Sequence, residues 1–254
     1  GGAIAAMARS GALADVADRG ISTIFYCQVD NPLAPICDLD LLGDHLLSGS
    51  EMTTSIVAKE TPEESLGNVV AIDGRVQIIE YIHLPAETAQ RRAPSGELAL
   101  WAGNTAVHVI ETPFLNRAAN DLAHSLPFHV QRKKVPYFDV ATRRRIEPDE
   151  PNAIKFERFI FDLLPAARHA IVVEADKEET FAPLKNAPGA PKWSPEAVQC
   201  QMMSVYRRWL RAAGAEIADD VPVEISPRFA YDVETLKERI TPGAKVANST
   251  YFER

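Results

Sequence analysis

Several short stretches pair an acid, an amide or a lysine with glycine or proline, and such pairs can do chemistry. In FYCQVDNP (25–32) an apolar run meets Asp30, Asn31 and Pro32. Asp is depleted in strands and Pro cannot continue a ladder, so a strand is expected to stop at Val29. Asp30 and Asn31 would then lie at its carboxyl end, where open α/β sheets bind ligands. A carboxylate there can hold Mg²⁺ together with substrate phosphates. An Asx-type turn ahead of Pro32 is the plainer reading. Glu80-Tyr81 follows Val76, Ile78 and Ile79 and offers groups for sugar hydroxyls, or only a surface strand end. Gly67-Asn68 and Ala102-Gly103-Asn104 are small-plus-amide corners, with room for close approach and an amide that both donates and accepts. Lys185, in FAPLKNAPGAP, could reach a phosphate as a point charge or simply be a solvated loop lysine.

Other patterns read as structure. Asp38-Leu39-Asp40 mimics a metal-binding DxD, as in glycosyltransferases, but stands where a helix cap is expected. Arg132-Lys133-Lys134 and Arg143-Arg144-Arg145 read as solvated faces. The six histidines show no ligand spacing.

The elements that must position these residues alternate between strand and helix. Helices are expected over the first 20 residues, over 38–48 with Asp38 as N-cap, from Thr112-Pro113 onward, and over 194–213 with Ser194 as cap and Pro195 at the first position. Strands are expected at 21–29, 53–59, 96–104 and 169–175, with a hairpin at 68–81 turning on Asp73-Gly74. Residues 125–152 read as a long hairpin or loop. Ile154, Phe156, Phe159, Ile160, Leu163 and Leu164 fit one apolar helix face, on which Phe159 and Phe161 would not coincide. From 217 the chain is Pro-punctuated and resembles a small appendage. The fold class expected is α/β, a mixed and mostly parallel sheet with helices on both faces. The domains expected are 1–216 and 217–254.

The bulk properties exclude some classes. With 254 residues, 46% apolar, the chain can bury a large core, and its net charge of −8 argues against nucleic acid held on a basic face. Three cysteines are too few for a disulfide framework, which fits a reducing cytoplasm. No apolar run is long enough for a membrane span. The opening GGAIAAMARS lacks the pattern of a signal peptide. It reads either as a start inside a domain or as a tag remnant.

Taken in order, GG (1–2), FYCQVDNPL, LGNVVAIDGRVQIIEY, LWAGNTAVH, QRKKVPYFD, PNAIKFERFIFD and FAPLKNAPG resemble the UDP-N-acetylhexosamine pyrophosphorylases, within the UDP-sugar pyrophosphorylases. The resemblance covers about residues 1–213. It implies a nucleotide-diphospho-sugar transferase-like fold that joins UTP and a sugar 1-phosphate with Mg²⁺, releasing pyrophosphate. N-acetylglucosamine 1-phosphate is the sugar expected, with a UDP-glucose-type enzyme as the alternative. By the same resemblance Asp30 would bind the metal and Lys185 a phosphate near the reacting centre. Asn31, Gly67, Glu80, Tyr81 and Asn104 would contact substrate, Phe159 and Phe161 would line the N-acetyl pocket, and Gly1 and Gly2 would touch the uridine. The family's Gly-rich nucleotide loop is not found in these residues. The expectation is therefore a C-terminal portion, inactive alone or serving only to bind a sugar phosphate or sugar nucleotide.

Overall fold

The computed structural model describes residues 2–121 and 126–253. The chain divides into two compact units. The first comprises the residues up to Tyr26 with Cys37–Val173, and the second comprises Cys27–Ile36 with the residues from Glu174 onward.

The first unit is built on a six-stranded sheet. Its strands are β1 (Thr23–Tyr26), β2 (Met52–Ala58), β3 (Asn68–Ile72), β4 (Arg75–Ile79), β5 (Ala102–Glu111) and β10 (Ala170–Glu174), in the order β10-β2-β5-β3-β4 with β1 also on β5. Strand β5 runs antiparallel to β1, β2 and β3, and β3 runs antiparallel to β4. This corrects the mostly parallel sheet expected from sequence, although the α/β class stands. The long central β5 gathers three partners that all run against it. The Asp73-Gly74 turn adds one more antiparallel pair, with both residues at positive φ (50° and 73°) as a two-residue hairpin demands.

Helices cover both faces of this sheet. Met52 and Ile110, paired across β2 and β5, point into a core with Ile4 of α1 (Gly2–Arg9), Leu13 of α2 (Ala12–Asp18), and Phe114 and Leu115 of α5 (Thr112–Asp121). The first 20 residues thus form two helices, broken where Gly11 takes a left-handed φ of 80°. Thr53, one residue on from Met52, points the other way and meets His45 of α3 (Leu39–Ser48) at 2.8 Å. Asp38 caps α3 by accepting from the Leu41 N–H at 2.8 Å, so the DxD mimic is a cap.

The rest of the first unit is a short helix α4 (Ala86–Ala89) and two hairpin-like ribbons. Strand β6 (His129–Lys133) pairs with β9 (Ala153–Glu157), and β7 (Tyr137–Asp139) with β8 (Arg144–Ile146). The helix expected over 154–164 is therefore corrected. Ile154 and Phe156 lie in β9, and only Ile160–Ala166 coils, as a 3-10 helix ending through Pro165. The apolar pattern there fits either period, and pairing with β6 decides for the strand.

The second unit holds α6 (Lys177–Thr180), α7 (Pro195–Ala212), β11 (Glu216–Ile217), β12 (Val223–Ile225), α8 (Val233–Lys237), β13 (Lys245–Val246) and β14 (Thr250–Phe252). Ser194 caps α7 by accepting from the Ala197 N–H, with Pro195 in the first turn. Leu210, Ala213 and Ala215 share one core with Val223, Ile225, Leu236 and Val246. The described residues from Val221 to Val246 thus share the core at the end of α7.

One buried group of the first unit makes stability depend on pH. His108 of β5 is fully buried, bonded through Nδ1 to Thr54 Oγ1 at 3.0 Å, with Nε2 unpartnered. Burial pushes its pKa down from 6.5 to about 3. Between those values the unfolded chain binds the extra proton, so stability is full above about pH 6.5 and is lost as pH falls. His45, shifted down by burial despite Glu111, adds to the same loss. The wild type is expected to lose ~2 kcal/mol more than His108→Gln between pH 7 and pH 5 in denaturant titrations. Equal losses would contradict this assignment.

Candidate functional site

In the first unit three of the residues singled out in the sequence converge. An added Cβ on Gly67 would lie 3.0 Å from Glu80 Oε1, 3.7 Å from Asn104 Cβ and 2.8 Å from Ile78 Cγ2. Gly67 is therefore the gap between a carboxylate and an amide, and no other residue type leaves it open. The Gly67 carbonyl accepts from the Asn104 N–H at 2.8 Å, which ties the two corners together.

A β-bulge aims Asn104. The register of β5 on β2 jumps from Val107 opposite Ser55 to Asn104 opposite Ile56, leaving Thr105 and Ala106 extra. Ala106 takes a φ of 59°, uncommon outside glycine, and its N–H donates to Asn104 Oδ1 at 2.9 Å. The Thr105 hydroxyl donates to the Ser55 carbonyl at 2.7 Å. Bulges of this kind re-aim side chains beside active sites. Asn104 Oδ1 is occupied, so Nδ2 is the group it can offer a ligand. The strand expected at 96–104 is thereby corrected: Ala102–Asn104 open β5 rather than close an earlier strand, because the ladder continues past the bulge.

Lys59 is a part of this corner that sequence reasoning missed. Its Nζ is buried and donates to Asn68 Oδ1 at 2.9 Å, and burial lowers its pKa despite Glu64 and Glu63. Lys59 Cγ would also lie 3.2 Å from a Cβ on Gly103, so both glycines mark tight packing at the corner.

The phenylalanines are brought together after all. The chain is extended at Phe159 and coils only from Ile160, so the rings of Phe159 and Phe161 stack at 4.7 Å and 13°. His129 of β6 lies 4.6 Å from Phe159, and its Nε2 meets Asp162 Oδ2 at 2.9 Å. His83 lies 5.7 Å from His129, on the 3-10 turn Tyr81–His83 that follows Glu80. A chain of ring contacts thus runs from His83, two residues after the exposed Tyr81, through His129 to Phe159, while Phe161 beneath is buried in the core. Neither His129 nor Asp162 was legible in the sequence, because 33 residues separate them. Gly2 opens α1, and Gly1 lies outside the described residues.

In the second unit Asp30 and Lys185 come together. Strand β1 ends at Tyr26, short of the expected Val29, and Val29 is fully exposed. Asp30 therefore sits in a turn and does not end a sheet strand, because the Asn31 N–H bonds the Gln28 carbonyl and coils the chain. Lys185 Nζ stands 3.9 Å from Asp30 Oδ2, while Asp30 Oδ1 is buried with no hydrogen-bond partner. Asn31 is buried with both ends of its amide engaged, donating to the Thr180 carbonyl and accepting from the Ala182 N–H, each at 2.9 Å. Among the described residues no group of three His, Cys, Asp or Glu could hold a metal, and no helix is long and apolar enough to cross a membrane.

The profile of the UTP–glucose-1-phosphate uridylyltransferases matches residues 1–238. The chain belongs to that family. A UDP-N-acetylhexosamine pyrophosphorylase-like protein 1 of Xenopus tropicalis is 36% identical over 220 residues, 87% of this chain and 43% of that protein. The UDP-N-acetylglucosamine pyrophosphorylase of Saccharomyces cerevisiae is 34% identical over 223 residues, 87% of this chain and 46% of that protein. The chain spans about half the length of the curated relatives it matches. Among solved structures, one from Entamoeba histolytica described as a candidate UDP-N-acetylglucosamine pyrophosphorylase superposes with a TM-score of 0.86 at 29% identity, covering all of this chain and 62% of that one. The UDP-N-acetylglucosamine pyrophosphorylase of Trypanosoma brucei, at 22% identity and a TM-score of 0.75 over 95% of this chain and 50% of that one, shares the fold.

Proposed function

We propose that the chain serves a UTP:N-acetylglucosamine-1-phosphate uridylyltransferase, forming UDP-N-acetylglucosamine and pyrophosphate. The observation that carries the reading is the convergence of Gly67, Glu80 and Asn104 around Ile78, which shares a core with Phe161 and the Phe159 packed against it. Glu80 accepts from sugar hydroxyls, Asn104 Nδ2 donates, and the missing side chain at Gly67 lets the sugar approach the backbone. The flat, partly buried Phe159 ring offers an apolar face to an acetamido methyl group. The relatives named for N-acetylhexosamine support that sugar over glucose.

In the second unit Asp30 is the metal ligand and Lys185 the phosphate ligand. The buried, unpartnered Oδ1 of Asp30 suits a hard cation, and a single carboxylate suits Mg²⁺, which keeps waters and takes substrate phosphates. When bound, the ion neutralises phosphate charge. Lys185 supplies a second positive charge, and Asp30 holds the Lys185 ammonium at a fixed side of the turn. Displacement at phosphorus requires little covalent help, so positioning and charge neutralisation are the tasks these side chains perform. The substrates proposed are thus UTP and a sugar 1-phosphate. The three free cysteines fit a cytoplasmic location.

Phe159→Leu provides the test, because Phe159 is only partly buried and stability should survive. In calorimetric titrations the variant is expected to bind UDP-N-acetylglucosamine about tenfold more weakly, equivalent to ~1.4 kcal/mol, while its affinity for UDP-glucose stays within about twofold. An equal loss for both ligands would mean that the ring only packs.

A further inference from the structure

We propose that Asn31 is a positioning residue, which clamps the segment 180–185 to the turn of Asp30 and so sets the separation of Asp30 from Lys185. The proposal rests on the roles given above to Asp30 and Lys185, and replaces the substrate contact expected of Asn31. Its geometry is a ladder of alternate residues. Asn31 Nδ2 donates to the Thr180 carbonyl, the Ala182 N–H donates to Asn31 Oδ1, and the Leu184 N–H donates to the Asp30 carbonyl at 2.7 Å. One amide side chain thereby completes a strand-like pairing across residues 30–31 and 180–184, in a stretch where no regular strand forms. The pairing is shielded, since Asn31, Phe181 and Ala182 are all buried.

Lys185 follows this ladder directly and is held from its other side. Its N–H donates to the Trp193 carbonyl at 3.0 Å, as the Asn186 N–H does at 2.9 Å. Trp193 takes a φ of 58° to present that carbonyl, and its ring meets the buried Phe181 edge-on. A bulky residue in the left-handed region persists only where the surroundings hold it there, and such residues cluster at functional sites. The backbone of Lys185 is therefore fixed between two brackets, while its side chain remains 42% exposed for a ligand. Asn31 is the bracket that touches the Asp30 turn. With both ends of its amide bonded within the fold and the residue buried, Asn31 is placed to hold the chain rather than a substrate.

The test uses the full chain with Asn31→Ala, Asn31→Asp and Asp30→Ala. Amide hydrogen exchange reads the clamp without any ligand. Asn31→Ala is expected to speed exchange at Ala182, Leu184 and Lys185 by roughly tenfold or more, the loss of about one hydrogen bond. Asn31→Asp keeps an acceptor for the Ala182 N–H and is expected to lose less protection there. Unchanged protection at Leu184 and Lys185 in Asn31→Ala would overturn the proposal. Titration of UDP-N-acetylglucosamine with and without Mg²⁺ is the second readout. Asn31→Ala should need roughly tenfold more Mg²⁺ for half its effect, with Mg²⁺-free affinity unchanged. The reverse pattern, weaker Mg²⁺-free binding with a normal Mg²⁺ response, would make Asn31 a direct ligand contact and overturn the clamp. If Mg²⁺ has no effect on the wild type, or still acts on Asp30→Ala, the metal reading fails on its own account, and exchange alone decides the clamp.

Discussion

Asp30→Ala is expected to erase the effect of Mg²⁺ on the binding of UDP-N-acetylglucosamine. The wild-type chain should bind the ligand about 10- to 100-fold more tightly with Mg²⁺ than without it, the range of one interaction between charged groups. In the variant the two affinities should agree within about twofold. The reason is specific to this turn. Asp30 presents a buried oxygen with no hydrogen-bond partner, so it alone among the site's carboxylates is placed in this account to take the ion. A buried carboxylate oxygen without a partner is costly unless something binds it. Removing it should not harm the fold, because the Asp30 carbonyl, which holds Leu184, remains in the alanine variant. Calorimetric titration at two Mg²⁺ concentrations reads the result. A Mg²⁺ response that persists in Asp30→Ala would place the metal elsewhere.

Gly67→Ala is expected to weaken sugar binding in the first unit by about 10- to 100-fold. The added methyl meets Ile78 Cγ2 at 2.8 Å and Glu80 Oε1 at 3.0 Å. The isoleucine is buried in the core and cannot move far, so the Glu80 carboxylate is the group that gives way. Displacing one hydrogen-bonding carboxylate corresponds to ~1.5–3 kcal/mol. The Mg²⁺ dependence of what binding remains should be unchanged, which separates this variant from Asp30→Ala. If Gly67→Ala binds UDP-N-acetylglucosamine normally, the corner of Gly67, Glu80 and Asn104 does not hold the sugar.

Features governed by neighbours in sequence were legible. The Asp73-Gly74 hairpin, the Asp38 and Ser194 caps and the Pro113 and Pro195 helix starts each depend on a few adjacent residues. Where two periods fit one apolar run, as over Ile154–Leu164, the long-range pairing of β9 with β6 decided, and that partner was not visible from the run itself. The direction of the sheet was misjudged for a related reason, since β5 collects partners from distant segments. Of the site, the glycine, acid, amide and lysine positions could be picked out as chemical types. The contacts that orient them could not. Lys59 on Asn68, His129 on Asp162 and Asn31 on Ala182 join segments by tertiary packing, and nothing in the residue types marks them in advance.

The most direct test titrates the full chain with UDP-N-acetylglucosamine and UDP-glucose in Mg²⁺. The account predicts saturable binding that favours the N-acetylated ligand by at least about tenfold, the worth of an acetamido group packed on an aromatic face. Equal affinities, or no binding of either ligand by the folded chain, would contradict it.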